Sequence, residues 1–99
     1  MLSPALDEIS QAALWFDSQR VGLGSEFWQS VDATLSQIEE NPARFARSEF
    51  ATQDIDFRLA VIKRFHFVVH FAVERDEIQI VAVAHAARKP GYWLGRARH

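Results

Sequence analysis

The sequence contains no cysteine among its 99 residues. That excludes a disulfide framework, a cysteine-based zinc site and a thiol nucleophile, and it fits a reducing compartment. No apolar run approaches the ~18 residues that a membrane-spanning helix needs. Met1-Leu2-Ser3-Pro4 is not a basic stretch followed by an apolar one, so it does not read as a signal peptide. These absences together lead to the expectation of a soluble cytoplasmic protein. There is no glycine-rich phosphate loop, because Gly22-Leu23-Gly24 reads only as a turn between helices. No Ser-His-acid order stands out. His66 and His85 without a third ligand are poor evidence for zinc, so neither a metal nor a cofactor is expected. Repeats, low-complexity tracts and linkers are also missing, which leaves one domain, 1–99, large enough to hold a small core.

Charge is present but unevenly placed. The net charge of −2 divides into −6 over residues 1–41, where seven acids face Arg20 alone, and +4 over residues 42–99, where ten Lys/Arg face six acids. A basic second half is either a footprint for an acidic partner or a solvated face.

In chain order, Ser3-Pro4 reads as a helix start, with serine as the cap and proline at the first helical position. Leu6, Ile9, Ala13 and Phe16 recur at helical spacing to about Gln19. Asp7 and Glu8 sit near the start, where the helix dipole favours negative charge. After Arg20-Val21-Gly22-Leu23-Gly24 a second helix is expected from about Ser25 to Glu40, lined by Phe27, Val31, Leu35 and Ile38 and stopped at Asn41-Pro42. Residues 43–54 show no period and read as a loop with at most one helical turn. Alternation predicts a strand over 55–62, with Ile55, Phe57, Leu59 and Val61 on one face.

The stretch Lys63–Pro90 reads as a β-hairpin. Two runs rich in aromatic and β-branched residues flank Glu74-Arg75-Asp76-Glu77. A register symmetric about Arg75 and Asp76 would place Phe65, Phe67, Val69, Phe71 and Val73 opposite Ala86, Ala84, Ala82, Ile80 and Ile78 on a helix-covered face. The other face would then pair His66 with His85, Val68 with Val83 and His70 with Val81. A one-residue slip would break this arrangement. The sum is an α+β architecture: a helical hairpin packed on one face of a three-stranded antiparallel β-meander.

With residues attached to that order, the chain resembles the RelE/ParE superfamily, the toxins of type II toxin–antitoxin modules. The landmarks are Ser3-Pro4-Ala5, Ala13-Leu14-Trp15-Phe16-Asp17, Gly22-Leu23-Gly24-Ser25-Glu26-Phe27, Ile38-Glu39-Glu40-Asn41-Pro42, Asp56-Phe57-Arg58, Lys63–Phe71, and His85-Ala86-Ala87-Arg88-Lys89-Pro90. They extend over about nine-tenths of the chain. Three features depart from the family. Its members usually open on a strand, whereas only Met1 and Leu2 precede Ser3. Either the sheet lacks that strand, leaving an unpaired edge to which a partner can add one, or the true start lies upstream. The ribonuclease branch carries an arginine where this chain has His66-Phe67, and an aromatic hydroxyl near Trp93, to which Tyr92 is adjacent. Family toxins are also often distinctly basic.

The resemblance implies a growth-inhibiting toxin, of the kind that stabilises plasmids. On the ParE-like reading it binds a macromolecular target such as DNA gyrase and is held by a cognate antitoxin, as a homo- or hetero-oligomer. The alternatives are a RelE-like ribosome-dependent mRNA endoribonuclease, or a degenerate, non-toxic interaction domain. A nuclease would draw its acid and base from His66 and His85, with Arg88 on the phosphate. Target contacts would come from Arg58, Lys63, Arg64, Lys89 and Trp93. The antitoxin would be a small acidic, partly disordered protein whose amphipathic helix fills a groove between helices and strands. Among the remaining candidates, Trp15 is expected half-buried and Trp28 nearer the surface. Trp93 is expected either to dock on the sheet or to meet a partner. His70 reads as packing, and terminal His99 carries no signal.

Overall fold

The computed structural model describes residues 1–97; His99 lies outside the described residues. Two helices, α1 (Ser3–Gln19) and α2 (Leu23–Glu40), form a hairpin across a three-residue turn. Four strands follow: β1 (Ala46–Arg47), β2 (Asp56–Ile62), β3 (Phe67–Glu74) and β4 (Glu77–His85). They make one antiparallel sheet in the order β1-β2-β3-β4. The expected α+β architecture is therefore present, with one strand more than the sequence showed. That strand is only two residues long, pairs Ala46 with Leu59 and Arg47 with Arg58, and is too short to display a period.

The helices meet the sheet through an aromatic-rich core. Ala5, Ile9 and Ala13 of α1 and Phe27, Val31 and Ile38 of α2 close over Ala60, Ile62, Phe65, Val69, Phe71, Ile80 and Val83. Phe16, Phe27, Phe65 and Phe67 stack around one another with centroids 4.9–5.8 Å apart, the range in which edge contacts are favourable. The face of β2 towards the helices is the one carrying Ala60 and Ile62, while Val61 is exposed. Leu6, expected in the core stripe, is 47% exposed, and the small Ala5 takes the buried position.

The second face of the sheet is covered as well. Phe57, Ala72, Val81, Ala82 and Trp93 form another buried cluster, flanked by Leu2, Phe50, Ile55, Tyr92 and Leu94. The 48–55 loop and the C-terminal tail thus act as a third layer. Trp93 is 1% exposed and packs edge-on against Phe57 and Phe50. Of the two outcomes expected for Trp93, docking on the sheet is the one observed.

The central hairpin corrects the symmetric register. Near the turn it holds, pairing Glu74 with Glu77 and Phe71 with Ile80. Arg75 and Asp76 both have positive φ, 47° and 69°, as a two-residue turn of the primed type I requires. Between Phe71 and His70 the register shifts by one, a β-bulge that adds Val81 to the edge strand. Beyond it Val69 pairs with Val83, Val68 with Ala84, and Phe67 with His85. His66 therefore does not oppose His85. It closes the 3-10 turn Lys63–Phe65 in the left-handed region, φ 58°. Ala82, expected under the helices, lies in the opposite cluster.

The outer edge of β4 is not bare. The Leu2 N–H donates to the Ile80 carbonyl (3.0 Å), Arg96 Nη1 to the Val81 carbonyl (3.2 Å), and the Val83 N–H to Glu8 Oε1 (3.0 Å). The contact to Ile80 makes Leu2, rather than Ser3, the residue that precedes the first turn. Among the described residues no helix is long and apolar enough to cross a membrane.

Candidate functional site

The candidate residues sort into three places. On the sheet face away from the helices, a cavity of about 320 Å³ lies between strand ends and tail. His70, His85, Arg88, Lys89, Tyr92 and Trp93 all line it. At the hairpin end of the helices, a second cavity of about 570 Å³ gathers Arg64, His66 and His85. Arg58 lies apart from both, 17% exposed, with its guanidinium on Asp56 (3.0 Å) and on the carbonyls of Ala43 (3.1 Å) and Phe45 (2.6 Å). It ties the loop before β1 to the sheet, which is a structural task. Lys63 is exposed on the 3-10 turn. Arg64 pairs with Glu26, which also holds Arg20 at 3.2 Å, and these two hydrogen bonds lower the Glu26 pKa.

The far-face cavity is organised by a residue that sequence reasoning missed. Glu8 reaches past the edge of β4 and is 14% exposed. It accepts the Tyr92 hydroxyl, Arg96 Nη1 (2.9 Å) and the Val83 N–H (3.0 Å), and it lies 3.5 Å from Arg88 Nη1. The Arg88 guanidinium also sits over the Tyr92 ring, 3.7 Å from its centroid. Burial, then the hydrogen bond to Glu8, push the Tyr92 phenol up to about 12. The available signal was positional. Glu8 follows buried Ala5 by three residues and so lies on the flank of the buried stripe, where an acid needs a partner. Arg96 gave no such signal, because the tail has no period.

His85 is exposed at the end of β4. Its Nδ1 accepts the Ala87 N–H at 3.0 Å, so the neutral ring carries its proton on Nε2. His70 stacks on Trp93, with centroids 4.8 Å apart and planes 29° from parallel. Neither His70 Nδ1 nor Trp93 Nε1 has a hydrogen-bond partner. Burial drives the His70 pKa from its ordinary 6.5 down to about 4. The fold therefore prefers neutral His70, while the unfolded chain takes up a proton near pH 6.5. Stability is expected to fall as pH drops from about 6.5 to about 4, by ~2 kcal/mol once partial exposure is allowed for. Urea unfolding of the wild type and His70→Leu at pH 7 and pH 4.5 checks this; a pH loss of equal size in both would refute it.

Trp15 and Trp28 exchange their expected environments. Trp15 is 59% exposed, and Trp28 packs against the core. Among the described residues, no group of three or more His, Asp or Glu side chains comes together as a metal would require. No protein-family model matches the chain, and neither does any curated protein.

Proposed function

We propose that this chain is a toxin of a type II toxin–antitoxin module, of the ParE kind within the RelE/ParE superfamily. It works in the cytoplasm by binding a macromolecular target such as DNA gyrase, and a small acidic antitoxin encoded beside it restrains it. The reading rests on the resemblance of the chain's landmarks. One observation favours binding over cleavage: among the described residues, no one cavity brings together the acid, the base and the phosphate-binding arginine that a nuclease would use. His66 and His85 share the cavity at the hairpin end of the helices, which Arg88 does not line, and on the far face Arg88 and Tyr92 are both held by Glu8. A phenol at about 12 is a weak proton donor at neutral pH. Among the described residues lining the far-face cavity, Lys89 is the cation without an ion pair, which suits contact with an anionic or acidic surface better than proton transfer.

A RelE-like ribonuclease is the second reading. It is favoured by His85, Arg88 and Lys89 lining one cavity. Inducible expression in bacteria, with and without the neighbouring gene, separates the two. Growth arrest with altered plasmid supercoiling and intact mRNA is the expected result. Arrest with rapid mRNA cleavage, lost in His85→Ala and Arg88→Ala, would give the site to the nuclease. Soluble protein without any arrest would overturn both toxin readings.

A further inference from the structure

The cavity at the hairpin end of the helices has a chemistry distinct from the far face. Its wall is aromatic: Trp15 and Phe16 come from α1, Phe65 from the 3-10 turn and Phe67 from β3. Its volume, about 570 Å³, lies within the ~300–1,000 Å³ typical of small-molecule pockets. Among the described residues, the polar groups that reach it are Arg64, His66 and His85, and no carboxylate lines it.

Three observations point to a ligand of one class. Trp15 lines the cavity while 59% exposed, in edge contact with Phe16 (5.2 Å). An exposed aromatic side chain that lines an apolar cavity extends the apolar surface against which a ligand ring can be buried. His85 spends Nδ1 on the Ala87 N–H, which leaves Nε2–H as a donor. His66 holds a left-handed backbone, uncommon for a residue with a Cβ, and the Ala86 N–H on its carbonyl (2.7 Å) fixes that turn against the end of β4. The imidazoles are thus presented on a rigid rim. An aromatic wall with imidazole donors and one arginine on its rim complements a planar ring carrying an anion.

We propose that this cavity binds a small aromatic carboxylate. The ring lies among Trp15, Phe16 and Phe67, and the carboxylate accepts from the rim donors His85 and His66, beside Arg64, whose pair with Glu26 is shared with Arg20 and leaves that group a net positive charge. Edge-to-face contacts hold the ring, and charge-assisted hydrogen bonds orient it.

The test titrates the full chain with 2-naphthoate and with its neutral counterpart 2-naphthylmethanol, followed by calorimetry and by amide chemical shifts. The expected result is saturable one-to-one binding of naphthoate, with shifts at Trp15, Phe67 and His85. The alcohol should bind about ten-fold more weakly, the value of one charge-assisted hydrogen bond. Trp15→Ala should weaken naphthoate by about ten-fold or more through loss of the ring contact. Because Trp15 is exposed, its thermal midpoint should stay that of the wild type, which separates loss of the site from loss of the fold. His85→Gln should weaken naphthoate and spare the alcohol. No saturable binding, equal affinity for acid and alcohol, or an indifferent Trp15→Ala each overturns the proposal. So does concentration-dependent dimerisation abolished by Trp15→Ala, which would give the cavity to a second copy of the chain. Failure of naphthoate together with a Trp15-dependent complex with an acidic protein would give it to that protein.

Discussion

Gly24→Ala is expected to cost about 3 kcal/mol of folding free energy and to lower the thermal midpoint by about 15 °C. The position lies in the first turn of α2, where it faces α1. A Cβ there would stand 2.8 Å from Asp17 Cγ and closer still to the Ala13 carbonyl oxygen. The carbonyl belongs to a helix backbone and cannot rotate away, so the hairpin would have to open at its tightest point. Opening it would also strain the bond from the Gly24 N–H to Asp17 Oδ1 (2.8 Å), which satisfies an otherwise orphan amide at the start of α2. Alanine's better helix propensity returns about 1 kcal/mol, too little to offset the clash. Calorimetric unfolding measures the effect. Gly95→Ala is the control, since a Cβ there meets nothing within 4 Å and should leave the midpoint close to wild type. A Gly24→Ala midpoint matching that control would mean the helices can part freely.

The same contact shows what the sequence made legible and what it did not. Two glycines in three residues marked a turn, and Gly22 with φ 92° serves that role. That Gly24 is needed for close helix packing is not written in its neighbours, because it depends on what faces it. The helices and β2 were legible because their apolar residues repeat at the helical or strand period, and β3 and β4 because two runs of β-branched and aromatic residues flank a charged turn. The bulge was not. From Ile80 to Ala84 every residue of β4 is buried, so the strand is apolar on both faces, and a pattern without alternation carries no mark of a one-residue slip. The paired histidines expected from the symmetric register were lost to that slip. The two tryptophans exchanged places for a related reason. Trp15 and Trp28 both border an apolar stripe, and only the rotation of each helix against the sheet decides which border is covered.

The far-face site exposes a further limit, because its organiser and the groups it holds lie at opposite ends of the chain. Glu8→Ala is expected to destabilise the fold by about 3 kcal/mol, near the lower end of what breaking a buried ion pair costs, since Glu8 keeps some exposure. The carboxylate ties together the start of α1, the edge of β4 and the tail. Removing it leaves Tyr92 and the Val83 amide without their acceptor and Arg96 with only the Val81 carbonyl, in a partly buried setting, and uncompensated polar groups of that kind dominate the loss. Glu8→Gln should cost less, because an amide oxygen can still accept from Val83 and one other donor while the charge is gone. The exposed Arg47–Asp56 pair provides the contrast, and Arg47→Ala should be nearly silent in the same assay. Urea midpoints measure stability, and tryptophan emission reports whether Trp93 leaves the sheet. A shift of that emission to the red before global unfolding would show the tail detaching as a unit, carrying Arg88 and Lys89 with it. The cation display of the far-face cavity would then depend on a carboxylate about eighty residues away in sequence, and, on the toxin reading proposed above, target binding should fall with Glu8→Ala even under conditions where the core stays folded. If instead the tail stays docked and the midpoint is unchanged, the stacking of Trp93 on His70 and its edge contact with Phe57 suffice to hold the site.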